Sequence, residues 1–81
     1  MPAYPILARR LGKEGKVVLR LTIDERGVLR KLEVLEDPGY GFSAAAAEAA
    51  RKSRYAPAFM NGRPVAVRAL LPVRFVLKGG G

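Results

Sequence analysis

The segment that decides the fold is Arg63-Pro64-Val65-Ala66-Val67-Arg68-Ala69-Leu70-Leu71-Pro72-Val73-Arg74-Phe75-Val76-Leu77. Its odd-numbered positions from 65 to 77 are all apolar, which is typical of a strand with one buried face. The even-numbered positions include Arg68 and Arg74, so the other face is too polar to be covered. Pro72 has no N–H, which restricts it to an edge strand, a bulge, or a position whose donor would face outward. The pattern predicts an edge strand whose free backbone groups can accept a strand from another chain.

Composition limits the possible functions of the chain. Its 81 residues form one domain, and 15 Lys and Arg against 7 Asp and Glu give a net charge of +8. This charge favours acidic protein segments, nucleic acid or an anionic envelope as surroundings or partners. The chain has no Cys and no His, which excludes disulfides, the common zinc sites and catalysis by a nucleophile paired with imidazole. We therefore expect no enzyme and no cofactor.

Two further strands are predicted upstream. Lys16–Asp24 alternates apolar and polar residues, with Val17, Leu19, Leu21 and Ile23 on one face. Asp24–Gly27 forms a turn in which Gly27 can adopt a positive φ, so that Val28–Leu35 returns as the second strand of a hairpin. In that second strand Leu32 and Val34 are expected to face inward.

Two helices are predicted around these strands. Pro5–Leu11 begins with proline and is followed by Gly12, and Leu7 and Leu11 lie one turn apart on its apolar side. Ala44–Tyr55 forms the second helix, with Ser43 as N-cap and Phe42 packing against Ala47. Small side chains on one side let this helix lie close to the sheet: Ala46, Ala49, Ala50 and Ser53.

The resulting order is helix, strand, strand, helix, strand. We predict an α+β fold of two layers, with both helices on one face of a three-stranded antiparallel sheet. A right-handed crossover through the long helix puts the last strand beside the first, which gives the strand order 2-1-3. The domain is expected to span residues 1–78, with residues 79–81 as a flexible tail.

Several pieces of the chain resemble the TonB C-terminal domain family, in the right order and spacing over nearly the whole length. The matching pieces are Tyr4-Pro5, Ala8-Arg9, Gly12, Glu14-Gly15, the strand Lys16–Asp24 with Gly27, Phe42 with Ala46 and Ala49, Arg54-Tyr55-Ala56-Pro57-Ala58, Asn61-Gly62-Arg63-Pro64-Val65 and Pro72-Val73-Arg74-Phe75. The Ala-rich helix and Ser53, where the family often has an aromatic residue, depart from the family pattern.

The resemblance implies a non-enzymatic periplasmic domain that ends an energy transducer anchored in the inner membrane and coupled there to the ExbB–ExbD proton-driven complex. Such a domain captures the extended TonB box of outer-membrane transporters for nutrients such as iron chelates, by strand addition to its last strand. The docking residues would be Val65, Ala66, Val67, Arg68, Ala69, Leu70, Leu71, Val73, Arg74 and Phe75. Tyr4 and Pro5 would lie in the family's contact region. On this resemblance we expect the membrane anchor to lie outside the present sequence.

Alternatives stay open at this point. The last strand can be an edge that Arg68, Pro72 and Arg74 merely protect from aggregation. The domain can belong to another envelope protein with a different partner. A small basic nucleic-acid binder fits the charge, but exposed aromatic residues for base stacking are few. We expect a protein partner rather than nucleic acid, and a monomer, with a strand-exchanged homodimer as the alternative.

Overall fold

The computed structural model describes residues 2–78 and contains two helices and five strands in this part of the chain. They are α1 (Ile6–Arg10), β1 (Gly15–Ile23), β2 (Leu29–Glu36), α2 (Phe42–Lys52), β3 (Ala58–Met60), β4 (Arg63–Val65) and β5 (Val67–Phe75). The predicted tail, residues 79–81, lies outside the described residues. Neither helix within residues 2–78 has the length and apolarity that crossing a bilayer requires.

The main sheet has three antiparallel strands in the order β2-β1-β5. The predicted α+β fold class and the strand order 2-1-3 are therefore confirmed. β1 pairs with β5 along its whole length, from Gly15 opposite Phe75 to Ile23 opposite Val67. Alternate residues of β1 are buried, as the sequence pattern predicted: Val17, Leu19, Leu21 and Ile23.

Both helices contribute to one core on one face of the sheet. Phe42, Ala46 and Ala50 of α2 are buried against β1, and their small neighbours let the helix approach the sheet closely. In α1 the buried residue is Ala8, whereas Leu7 is 59% exposed and Leu11 is 53% exposed. The predicted apolar side of this helix was therefore wrong, because a helix of only five residues presents its small side chain to the core.

The start of α2 differs from the predicted one. Gly41 is the N-cap at φ +81°, and Phe42 is the first helical residue and fully buried. Ser43 lies inside the helix, where its hydroxyl donates a hydrogen bond to Asp37 Oδ2 at 3.1 Å, so its assignment as N-cap was wrong. The helix ends at Lys52 because Ser53 adopts an extended conformation.

The predicted last strand is divided in two at Ala66. β4 pairs with β3 in a small sheet of its own, while β5 pairs with β1. Asn61 and Gly62 join β3 to β4 with φ values of +52° and +76°, which is the signature of a type I′ turn. This hairpin was not predicted from the sequence.

β2 is the other edge of the main sheet, and its pairing with β1 is irregular. The register shifts between Val18 and Leu19, so that Val18 lies opposite Glu36 and Leu19 lies opposite Val34. Val34 therefore faces the same side as buried Leu19, yet it is 43% exposed. An edge strand at the margin of a small core leaves such a side chain only partly covered.

Candidate functional site

The two faces of β5 differ in burial. Its odd-numbered side chains are buried or half-buried on the helix side of the sheet, from Val67 to Phe75. Its even-numbered side chains are exposed on the open side, and Leu70 is 65% exposed. This alternation follows from the two-residue period of a strand. One face of β5 therefore packs against the core, and the other face is accessible to a binding partner.

Pro72 fixes the direction of the backbone groups along β5. It lies opposite Val18 in a ladder that runs without interruption. Because Pro72 has no N–H, this pair must be one of the non-hydrogen-bonded pairs of the antiparallel ladder. The neighbouring odd-numbered residues, such as Leu71 and Val73, therefore exchange hydrogen bonds with β1, and the even-numbered residues direct their backbone groups away from it.

The outer side of β5 is a free sheet edge. Within residues 2–78, β5 pairs with β1 only, and the small β3-β4 sheet is separate. Arg68, Leu70 and Arg74 therefore present N–H and C=O groups outward, whereas Pro72 presents only a carbonyl. A shallow depression of about 610 Å³ lies on the sheet near the start of β5, lined by Thr22, Ala66, Val67 and Arg68. The edge has the geometry that strand addition needs.

The residues predicted to dock a partner are distributed over three parts of the chain. Val65 lies in β4 opposite Ala58, and Ala66 connects β4 to β5. The other eight belong to β5: Val67, Arg68, Ala69, Leu70, Leu71, Val73, Arg74 and Phe75. Phe75 is 3% exposed, and as an odd-numbered residue it directs its backbone groups toward β1, so it offers little to an added strand. The structure thus brings most of the predicted residues together on one strand.

Tyr4 and Pro5 are placed beside the core. The Tyr4 ring meets the rings of Phe42 and Phe75 edge-on, with centroids 5.6 Å and 5.7 Å away. Its hydroxyl donates a hydrogen bond to the carbonyl oxygen of Lys13. Burial, followed by the negative charge of Glu14, raises the pKa of Tyr4. Tyr4 therefore packs at the end of the β1–β5 pair, and Pro5 is the N-cap of α1.

The open face of the sheet carries a two-pronged ion pair. Arg20 Nε and Nη2 donate to the two carboxylate oxygens of Glu33 on the neighbouring strand, at 3.0 Å and 2.8 Å. This hydrogen bonding, helped by the nearby charges of Lys31 and Arg68, lowers the pKa of Glu33. The same pairing raises the pKa of Arg20. Glu33 thus neutralises the charge of Arg20, and the positive charges of Lys31 and Arg68 exceed the negative charge at this site.

Arg68 is one of these cations, and it lies at the free edge. Within residues 2–78 its guanidinium forms no ion pair and no hydrogen bond. Among the same residues, no three His, Cys, Asp or Glu side chains come together in a way that can hold a metal ion. The chemistry available at this edge is therefore main-chain hydrogen bonding and attraction of negative charge.

Comparisons with known proteins identify the family of this chain. The family described as Gram-negative bacterial TonB protein C-terminal matches residues 1–77. A protein named Protein TonB from Vibrio cholerae serotype O1 is 35% identical over 79 residues, which cover 96% of this chain and 32% of that relative. A protein of the same name from Xanthomonas campestris pv. campestris (strain B100) is 34% identical over 77 residues, which cover 94% of this chain and 34% of that relative.

The chain spans about a third of the length of these relatives. The family match nevertheless extends over every strand and helix of the structure, including the strand with the free edge. The chain therefore belongs to the family of C-terminal domains of Gram-negative bacterial TonB proteins.

Proposed function

We propose that this TonB-type domain is a non-enzymatic periplasmic binding module that receives the extended TonB box of outer-membrane transporters. The segment would add to the main sheet beside β5, along residues 67–75, whereas Val65 and Ala66 would lie just beyond the start of the added strand. The observation that carries this proposal is the free outer edge of β5, where Arg68, Leu70 and Arg74 direct backbone groups away from β1. Strand addition uses the same main-chain hydrogen bonds as the sheet itself.

The strength of such binding follows from the number of available groups. Each hydrogen bond between the edge and an added strand contributes about 0.5–1.5 kcal/mol net. Pro72 removes one donor from the row, so a handful of bonds remain and the interaction is reversible. Main-chain bonding depends little on the side chains of the added segment. This suits one domain that serves several transporters.

The charges beside the edge favour a segment flanked by acidic residues. Arg68 and Arg74 are exposed on the open face on either side of Leu70 and Pro72. Complementary charges increase the association rate and fix the alignment of a bound segment more than they increase affinity. An acidic residue near each end of the added strand would meet one of these two guanidinium groups.

The domain would act as the far end of an energy transducer. Its family membership supports a role in nutrient uptake, in which a proton-driven inner-membrane complex of the ExbB–ExbD type works through the preceding part of the full-length protein. The domain's contribution is to hold the transporter segment while force is applied. No catalytic step is assigned to any of its residues.

The test removes one outward donor without changing the core. Leu70→Pro deletes the N–H that points away from β1, and Leu70→Ala removes the side chain but keeps that donor. With a panel of synthetic TonB-box peptides, titration calorimetry should show that Leu70→Pro binds about three- to tenfold more weakly than Leu70→Ala. Thermal unfolding should show that both variants stay folded.

Light scattering at the titration concentrations supplies the control for oligomeric state. We propose that the chain is a monomer, in which the β5 edge is free, whereas a strand-exchanged homodimer would alter that edge. Equal peptide affinities for a monomeric Leu70→Pro and Leu70→Ala would contradict docking at this edge. Absence of binding by the monomeric unmodified chain to any TonB-box peptide would contradict the function itself.

A further inference from the structure

The positive charge of the chain is unevenly distributed. All seven Asp and Glu residues lie between positions 14 and 48. Residues 49–81 contain seven of the fifteen Lys and Arg and no acidic residue. The part of the chain that forms the β3–β4 hairpin and β5 therefore attracts anions without any opposing carboxylate of its own. Arg54 precedes the hairpin, and Arg63 lies within it.

The β3–β4 hairpin, residues 58–65, exposes large apolar side chains. Phe59 is 67% exposed and Met60 is 65% exposed. They lie opposite Pro64 and Arg63, respectively, in a two-stranded sheet that is separate from the main one. At the turn, no atom of a non-adjacent residue lies within 4 Å of the position that a Cβ would occupy on Gly62. The turn of the hairpin is therefore uncovered, with an aromatic ring and a thioether beside it.

We propose that the β3–β4 hairpin is a contact site for an anionic lipid bilayer. The hairpin exposes apolar side chains within a segment that has arginines and no acidic residue. It therefore complements both the acyl chains and the negatively charged headgroups of such a bilayer. Phe59 and Met60, on opposite faces of the hairpin, would enter the boundary between headgroups and acyl chains. Arg63, opposite Met60, and Arg54 would extend their guanidinium groups to the negatively charged headgroups. The inference does not depend on strand addition to β5.

The size of the hairpin favours a bilayer over a protein or nucleic acid. A globular protein docked on this eight-residue hairpin alone would fall short of the roughly 20–30 residues that each partner contributes to a standard stable interface. A bilayer needs no matching shape, because it accommodates any small apolar tip and attracts cations over a distance. The phosphates of a nucleic acid would bind the arginines, but a nucleic acid could contact Phe59 only by base stacking. It has no comparable contact for the side chain of Met60.

The direct test places a fluorescent reporter at the tip. The chain has no Trp, so Phe59→Trp introduces a single one. Its emission should shift to shorter wavelength with vesicles that contain phosphatidylglycerol, and brominated acyl chains should quench it. Vesicles of phosphatidylcholine alone should cause neither change. An equal response to both kinds of vesicle, or no response to the anionic ones, would overturn the proposal.

Matched variants distinguish insertion of the hairpin tip from non-specific adsorption to vesicles. In vesicle co-sedimentation, the double variant Phe59→Ala with Met60→Ala should partition at least about tenfold less than the unmodified chain. Ile6→Ala removes an apolar side chain that is 71% exposed on α1, and it should partition as the unmodified chain does. Arg63→Gln should reduce partitioning most at low salt, because salt screens exposed charges.

Two further results would contradict a specific contact between the hairpin and a bilayer. Equal losses from Ile6→Ala and from the double tip variant would show non-specific adsorption. Binding to a single-stranded oligonucleotide that the double tip variant abolishes, without binding to anionic vesicles, would assign the hairpin to nucleic acid. Either result would overturn the bilayer proposal.

Discussion

Position 27 in the β1–β2 turn requires glycine for two reasons, its backbone conformation and a close neighbour. Its φ is +83°, and a Cβ at this position would lie 2.5 Å from the carbonyl oxygen of Tyr55. Gly27→Ala should destabilise the fold by about 2–4 kcal/mol, because it adds left-handed strain to displacement of the Tyr55 backbone. Equilibrium unfolding in urea measures the change in the free energy of unfolding.

Gly12 provides the matched control for Gly27→Ala. Its φ is +65°, but no atom of a non-adjacent residue lies within 4 Å of the corresponding Cβ position. Gly12→Ala should therefore show the backbone strain alone, about 1–2 kcal/mol. If the two variants lose the same free energy, the contact with Tyr55 contributes nothing to the requirement for glycine at position 27.

Asp24 makes the stability of the same turn dependent on pH. Its Oδ1 accepts hydrogen bonds from the N–H groups of Arg26 and Val28, both at 2.9 Å, and its Oδ2 accepts one from Arg30 Nε at 2.7 Å. The bond from Val28 is the main cause that lowers the pKa of Asp24, and the pairing with Arg30 lowers it further. The charged carboxylate is therefore more favourable in the folded state than in the unfolded chain.

The sign of the pH effect follows from this lowered pKa. The stabilisation is fully present above the unfolded pKa, about 3.9, and is lost as the pH falls through the lower folded pKa. Asp24→Asn should lower the Tm at pH 7 and weaken its dependence on pH below about 5, as measured by circular dichroism. Glu25→Gln removes a neighbouring acidic group and should keep the original profile. An unchanged acid dependence in Asp24→Asn would contradict this assignment.

At the scale of elements, α2 is defined by the small side chains that face β1. Ala46 is 1% exposed, so a larger side chain there has no space unless the helix moves away from the sheet. Ala46→Leu should destabilise the fold by about 1–3 kcal/mol through overpacking. Ala44 is exposed on the same helix, and Ala44→Leu should change the stability by less than about 0.5 kcal/mol. Urea unfolding of the two variants compares them, and equal stabilities would show that the helix can shift freely.

The same elements show how far periodicity predicts structure. The alternation in β1 predicted its buried residues because one strand with one covered face obeys one simple period. The start of α2 was missed because Gly41 adopts a positive φ and lets Phe42 enter the core at the first helical position. That geometry depends on a tertiary contact, which local capping patterns do not contain. The dipeptide Asn61-Gly62 favours a type I′ turn and could have indicated the hairpin.

For the whole molecule, the sequence predicted the fold class and the candidate edge but not their details. The alternation from Val65 to Leu77 continues through Ala66, although the chain changes its pairing partner there. A period of two is the same before and after such a change, so the division into β4 and β5 was not predictable from it. The outward direction of the backbone at Leu70 required the register of Pro72 against Val18.

Pro72 has one more consequence for the outer edge of β5. On a uniform edge, a guest strand that slides by two residues finds the same set of donors again. The gap at Pro72 makes successive positions unequal by one hydrogen bond, so sliding meets an energetic step. If a strand adds to this edge as proposed, its main-chain bonds would depend little on its sequence but would favour one alignment over its neighbours.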